Sequence, residues 1–195
     1  MPKQNKLTGA DYLLLLLYMD NCSPINGAIR VTKMMFLFNK EIAPLLRKVG
    51  ATIEEADLPA FLAYNYGPFS KDVYEQLELF QSIGFVKSKN LYAGEEMLEV
   101  DDWEETAFET DFSEGSAKYT NIQDGRFMQY KLLSLGKKYV ENEILPSQEQ
   151  SQLDILLAFK KKITSLSPKM ILRYVYTKYP EMTDKSLIKD EVLRT

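Results

Sequence analysis

The chain has 195 residues, of which 45% are hydrophobic and 27% charged, and a formal net charge of −4, a composition that suits one globular domain or one domain with a small appendage. It contains no histidine and a single cysteine, Cys22, which excludes imidazole triads, His-ligated zinc, an internal disulfide and CxxC metal or redox pairs. The longest apolar run, Tyr12 to Met19, is far short of the roughly 20 residues of a bilayer span and lacks the flanks of a signal peptide, so the expected location is cytoplasmic.

Thr8 with Asp11 three residues on makes a capping-box start for a helix through Leu13 to Met19 that is apolar on nearly every face and therefore buried. Asn21-Cys22-Ser23-Pro24 and Asn26-Gly27 punctuate the connection to the next element. A second helix is expected from Arg30 to Val49, with Gly50 as its stop and a kink or break at Pro44. Pro59 to Tyr64 reads as a short helix, and Ser70 caps another whose Val73, Leu77, Phe80 and Ile83 face inward before Gly84 ends it.

Phe85-Val86 opens a strand whose partner is Phe127 to Leu132, where apolar and polar residues alternate. Gly136 to Ile144 is the next helix, closed by Pro146. Ser147 with Gln150 begins an amphipathic helix bearing Leu153, Leu156, Leu157 and Ile163. Ser167-Pro168 opens a helix with Ile171, Tyr174 and Val175 inward, Pro180 ends it, and Thr183 caps a last one containing Leu187, Ile188 and Val192.

The expected fold is mainly α with a small antiparallel β wing: a winged-helix-like core over residues 1–145, with an acidic insertion at about 93–125, and a C-terminal helical extension over 146–195. That extension packs on as a second layer or serves as a dimer arm.

Two motifs carry a family resemblance. Val31-Thr32-Lys33-Met34-Met35-Phe36-Leu37, followed by Gly67-Pro68 leading into Ser70-Lys71-Asp72-Val73-Tyr74-Glu75-Gln76-Leu77, resembles the SocA-like antitoxin domain, also called the Panacea domain. Over nearly its whole length the chain is similar to the YwgA-like proteins. The resemblance implies a mostly helical fold with a small sheet, no enzymatic activity and, for the antitoxin branch, neutralisation of a partner protein such as a toxin. Tyr130, Leu132 and Gly136 also match the residues that close the wing in many winged-helix proteins, but Leu133 stands where a capping threonine is usual.

The charge is unevenly placed. Between Glu95 and Glu114 lie ten acids and no Lys or Arg, so the remainder carries +6. The stretch around Asp101-Asp102-Trp103-Glu104-Glu105 lacks the ordered spacing of a calcium loop and reads as a solvated acidic loop, with Trp103, Phe108 and Phe112 as its aromatics. Laid over the protein's own basic residues, it would mimic nucleic acid. Lys33, Lys40 and Arg47 recur every seven residues along helix two, and Lys169 and Arg173 add charge near Tyr174, Tyr176 and Tyr179. These five cations are the expected contacts to nucleic acid or an acidic partner, set against a plain solvated helix face.

The outer face of the Ser70 to Ile83 helix, with Asp72, Glu75 and Glu78 against Lys71, repels phosphates and disfavours groove reading. Tyr64, Tyr66, Gly67, Pro68 and Phe69 form an aromatic cluster that either closes the core or docks a protein. Cys22 has no histidine to activate it, and Ser70-Lys71 and Ser186 beside Lys185 or Lys189 are too ordinary a pairing to name a nucleophile. The expectation is a protein-interaction module, without cofactor, metal or catalytic residues. A winged-helix nucleic-acid-binding regulator is the alternative.

Overall fold

The computed structural model describes residues 6–90 and 128–194. The acidic stretch, its aromatics and most of the expected insertion lie outside the described residues. The fold is mainly helical with a small antiparallel sheet, and among the described residues no helix is long and apolar enough to cross a membrane.

Helix α1 (Gly9–Cys22) begins as expected: the Thr8 hydroxyl accepts from the Asp11 amide, and the Asp11 carboxylate accepts from the Thr8 amide at 2.8 Å. Leu13 to Leu17 are all within 1% of full burial. An all-apolar helix has no polar face to carry its last carbonyls to water, so its C-terminus needs donors inside the protein. The chain leaves right-handed geometry at Met19, and Asp20, Asn21 and Cys22 then take φ of 55°, 55° and 56°, a left-handed turn made without glycine. Lys160 holds it. The side chain is fully buried, and its ammonium donates to the carbonyls of Leu17 at 3.3 Å, Met19 at 2.7 Å and Ser23 at 2.7 Å, using all three protons. Burial pushes its pKa down to about 8, opposed by the negative charge of Asp20.

Strand β1 (Ile25–Asn26) occupies the place where the sequence suggested a turn, and Gly27 at φ 91° then opens α2 (Ala28–Leu37). The expected break at Pro44 is a π-helical turn, Phe38–Ile42, followed by α3 (Ala43–Lys48). The Ala43 amide reaches back to the Phe38 carbonyl, and one extra residue in the turn relieves the clash that proline makes in a regular helix. Val140–Ile144 repeats the device ahead of Pro146. Gly50 at φ 89° stops α3 as its position predicts, with Ala51 donating to the Leu46 carbonyl at 3.0 Å.

The short helix expected from Pro59 to Tyr64 is a hairpin instead. Strands β2 (Leu62–Tyr64) and β3 (Gly67–Phe69) pair antiparallel around a two-residue loop, Asn65-Tyr66. Six residues are too few to nucleate a helix alone, and the Asp72 carboxylate and Asn39 amide hold Ala60 and Pro59 extended. Ser70 caps α4 (Lys71–Ser82), and Gly84 at φ 75° ends it.

Strands β4 (Val86–Asn90) and β5 (Met128–Leu132) pair as expected, with Val86 opposite Leu132 and Ser88 opposite Tyr130. β1 adds a third strand on the far side of β5, giving the order β1-β5-β4 where only two strands were expected. Ile25, Val86, Tyr130 and Leu132 face the core, while Lys87, Lys89 and Lys131 face out.

Helix α5 (Ser134–Tyr139) starts two residues earlier than expected, with Leu133 at its cap offering no side-chain bond. Helix α6 (Gln150–Ser165) is capped by Glu149 with Gln152, not by Ser147, whose hydroxyl turns back to Ile144. Helix α7 (Pro168–Lys178) has the Ser167 cap and leading proline that its sequence calls for. The last helix, α8 (Lys189–Leu193), is shorter than expected, because Thr183 spends its hydroxyl on the Pro180 carbonyl. One continuous core runs from α1 through α2, α4 and the sheet to α6 and α7, so residues beyond 146 share it with those before.

Replacing Lys160 by Met strands three buried carbonyls and is expected to lower stability by about 3 kcal/mol, read as a shift in the urea midpoint at constant slope. Arginine, whose planar fork cannot enter the same space, is not expected to restore it.

Candidate interaction surface

The two motifs behind the family resemblance meet in space. Lys33, from the first, is 1% exposed and donates to the Pro68 carbonyl of the second at 3.0 Å. Beside it the Thr32 hydroxyl donates to the Ala28 carbonyl and shares a 3.1 Å hydrogen bond with the Tyr74 hydroxyl. Phe69 stacks on Tyr74 at 5.4 Å between centroids and packs against Tyr64 at 5.2 Å. Ser70, next in the motif, is 1% exposed and accepts from the Val73 amide.

The aromatic hairpin is therefore a joint in the core and not an exposed patch. Tyr66 is 3% exposed, Gly67 and Pro68 are buried, and only Tyr64 and Phe69 are half-buried. Gly67 is required twice over. Its φ is 81°, and a Cβ there would stand 2.7 Å from the Tyr176 ring. That contact brings α7 onto the hairpin, and the Tyr176 hydroxyl meets Ser186 at 2.8 Å. The hydroxyl of Ser186 is thus part of the packing of α8's approach.

The basic stripe of helix two is broken. Lys33 is inside, and Arg47 is half-buried with Nε on the Ile53 carbonyl at 2.8 Å. Of the three, Lys40 alone is exposed, its ammonium 6.0 Å from the centre of the Phe36 ring. The π-turn accounts for this: one inserted residue rotates everything after it by about 100°, which destroys a seven-residue stripe.

Helix α7 does present cations. Its inward residues are Ile171, Leu172, Val175 and Tyr176, all within 1% of full burial. Tyr174, expected inward, is 39% exposed, and Met170 is 57% exposed. They lie one turn apart beside exposed Lys169 and Arg173. Among the described residues, no carboxylate forms an ion pair with Lys169 or Arg173.

Glu41, on the π-turn, ties this helix down. Its carboxylate accepts from Tyr174 and Tyr179 at 2.9 Å each and from Lys178 at 3.0 Å, and Lys178 also donates to the Tyr174 hydroxyl at 2.8 Å. At the other end Arg30 donates to the Leu166 carbonyl at 2.8 Å, so α2 and α7 run side by side in the same sense. Burial works against the charged form of Glu41, but the hydrogen bonds from Lys178, Tyr174 and Tyr179 outweigh it and hold the carboxyl below its ordinary range.

Two sequence signals bear on this surface. From Ile155 to Pro180 the chain has six Lys or Arg and no acid, the mirror image of the acidic stretch, and that asymmetry could have located it. Glu41, four residues after Leu37 and beside the proline break, had no pattern to mark it. Cys22 is half-exposed at the rim of a cleft of about 400 Å³ that Tyr18, Asp20, Asp154 and Lys161 also line. On the outer face of α4, Lys71 pairs with Glu75 at 2.7 Å, while Asp72 is spent on the Ala60 amide.

The chain matches no protein-family model, and no curated protein matches it.

Two variants test these contacts. Gly67→Ala is expected to cost about 2 kcal/mol through strained backbone and the displaced Tyr176 ring, measured by chemical denaturation. The carboxyl of Glu41 has a lower pKa folded than unfolded, so its contribution is complete above the ordinary value of 4.5 and is lost as pH falls through the folded value. Glu41→Gln should therefore lower stability most at neutral pH, and the gap to the wild type should narrow on the acid limb of the stability profile.

Proposed function

We propose that the chain is a non-enzymatic protein-interaction module that binds and masks a partner protein, with the outward face of α7 as its docking strip. The observation that carries this reading is the pairing of exposed Met170 and Tyr174 with Lys169 and Arg173 on a helix whose opposite face is locked into the core. Large side chains on a rigid element lose little freedom on binding, and mixed apolar and cationic rows are what interface anchors need.

The antitoxin-like form of the reading rests on the SocA-like motifs around Lys33 and Gly67-Pro68. They act here through the joint that fixes α7, so they would build the surface without belonging to it. A winged-helix-like description of residues 1–145 draws support from the strand order β1-β5-β4 and from α4 preceding β4. Nucleic-acid binding, the alternative, is weakened because Lys33 and Arg47 are spent on main-chain carbonyls, leaving Lys40, Lys169 and Arg173. The outer face of α4 keeps Glu75 and Glu78 where a groove reader would need positive charge.

A photo-crosslinking residue in place of Met170 tests the reading. In extract from the native host, a single stoichiometric protein adduct is expected from position 170, and none from the same residue at Lys87 on the sheet. No adduct, or equal labelling at both positions, would overturn it.

A further inference from the structure

We infer that the α7 strip is built for an acidic protein segment carrying a large apolar side chain; this rests on the docking reading above and names the partner's chemistry. Lys169 and Arg173 form one row and Met170 and Tyr174 the next, each with its members one helical turn, about 6 Å, apart. Side chains on one face of an extended strand repeat at nearly the same distance, about 6.7 Å, and those at i and i+4 of a helix at about 6 Å. A segment with carboxylates along one edge and an apolar residue along the other fits both rows at once.

The charge of the surroundings selects for acid. α7 contains no Asp or Glu, and neither does the chain from Ile155 to Pro180. The one carboxylate at the strip, Glu41, is already answered by Lys178, Tyr174 and Tyr179. The guanidinium of Arg173 offers the forked donors that carboxylates accept in pairs. Tyr174 has its hydroxyl committed to Glu41, which stops the ring from turning and leaves its exposed edge as a fixed apolar wall.

The same features discriminate against a phosphate backbone. A nucleic-acid grip that tolerates physiological salt engages about 6 to 10 phosphates, whereas this strip offers Lys169 and Arg173, with Lys40 beyond the Glu41 network. More than half of the Met170 side chain is exposed, and it has nothing to gain from a sugar-phosphate chain.

The test uses the purified full chain and fluorescence anisotropy with four labelled probes: an acidic 12-residue peptide containing one Trp and one Leu, the same peptide with both replaced by Ser, the same apolar residues among lysines, and a 12-nucleotide single strand. The first probe is expected to bind at least about tenfold more tightly than each of the others, with affinity falling as salt rises. Lys169→Glu with Arg173→Glu, and separately Met170→Asp, should each weaken it about tenfold or more without moving the unfolding midpoint, because all three residues are exposed.

No binding of the first probe, or equal binding of the oligonucleotide, overturns the inference. So does a dimer that Met170→Asp dissociates while peptide affinity stays absent, since the strip would then belong to a second copy. A variant lacking residues 95–114 that binds the first probe tenfold better would assign the strip to the chain's own acidic stretch and equally overturn an external partner. If the crosslink at position 170 captures a neutral or basic protein while the acidic peptide fails to bind, the inference falls and the interaction module stands.

Discussion

Two ammonium groups in the interior, each answered by main-chain carbonyls, set the arrangement of everything else. Burying a charged amine costs several kcal/mol unless its protons find good acceptors. Lys33 takes the Pro68 carbonyl and thereby fixes the hairpin on α2; Lys160 takes the carbonyls of Leu17, Met19 and Ser23 and fixes α6 on the end of α1. Each links segments far apart in sequence, 35 residues in one case and 137 to 143 in the other. The hairpin in turn receives Tyr176 over Gly67, and so the orientation of α7 descends from Lys33.

This hierarchy separates two roles that the sequence runs together. The residues of the two motifs are interior and mechanical, holding the hairpin, α4 and α7 in one relation. The residues with chemistry to offer a partner, Lys169, Met170, Arg173 and Tyr174, lie outside both motifs on the helix that the joint positions. Glu41 mediates between the levels: it sits on a π-turn, a geometry enriched at functional positions, and restrains Tyr174 from below.

Local chemistry was legible in the sequence and global phase was not. The Thr8, Ser70 and Ser167 caps, the glycine stops at 50 and 84 and the β4–β5 pairing follow from side chains within four residues of the feature or from simple alternation. The hairpin was missed because its extended conformation depends on Asn39 and Asp72. Lys33 read as surface because heptad spacing assumes an uninterrupted α-helix, which the π-turn denies. In Lys160-Lys161-Lys162 no rule of composition says which ammonium points inward; only the left-handed turn decides it. Tyr174 and Tyr176 lie on either side of the buried stripe of α7, and the true apolar face, Ile171, Leu172, Val175 and Tyr176, is turned from the expected one by less than a quarter turn.

The burial of these two amines also gives the protein a pair of internal clocks. An amine-selective acylating reagent reaches an exposed lysine at once, but it reaches Lys33 only when the hairpin lifts from α2, and Lys160 only when α6 separates from the left-handed turn of α1. The delay in labelling at each position therefore reports the opening frequency of one joint independently of the other. A partner that clamps α7 would slow the first clock through Tyr176 and the hairpin while leaving the second free to run.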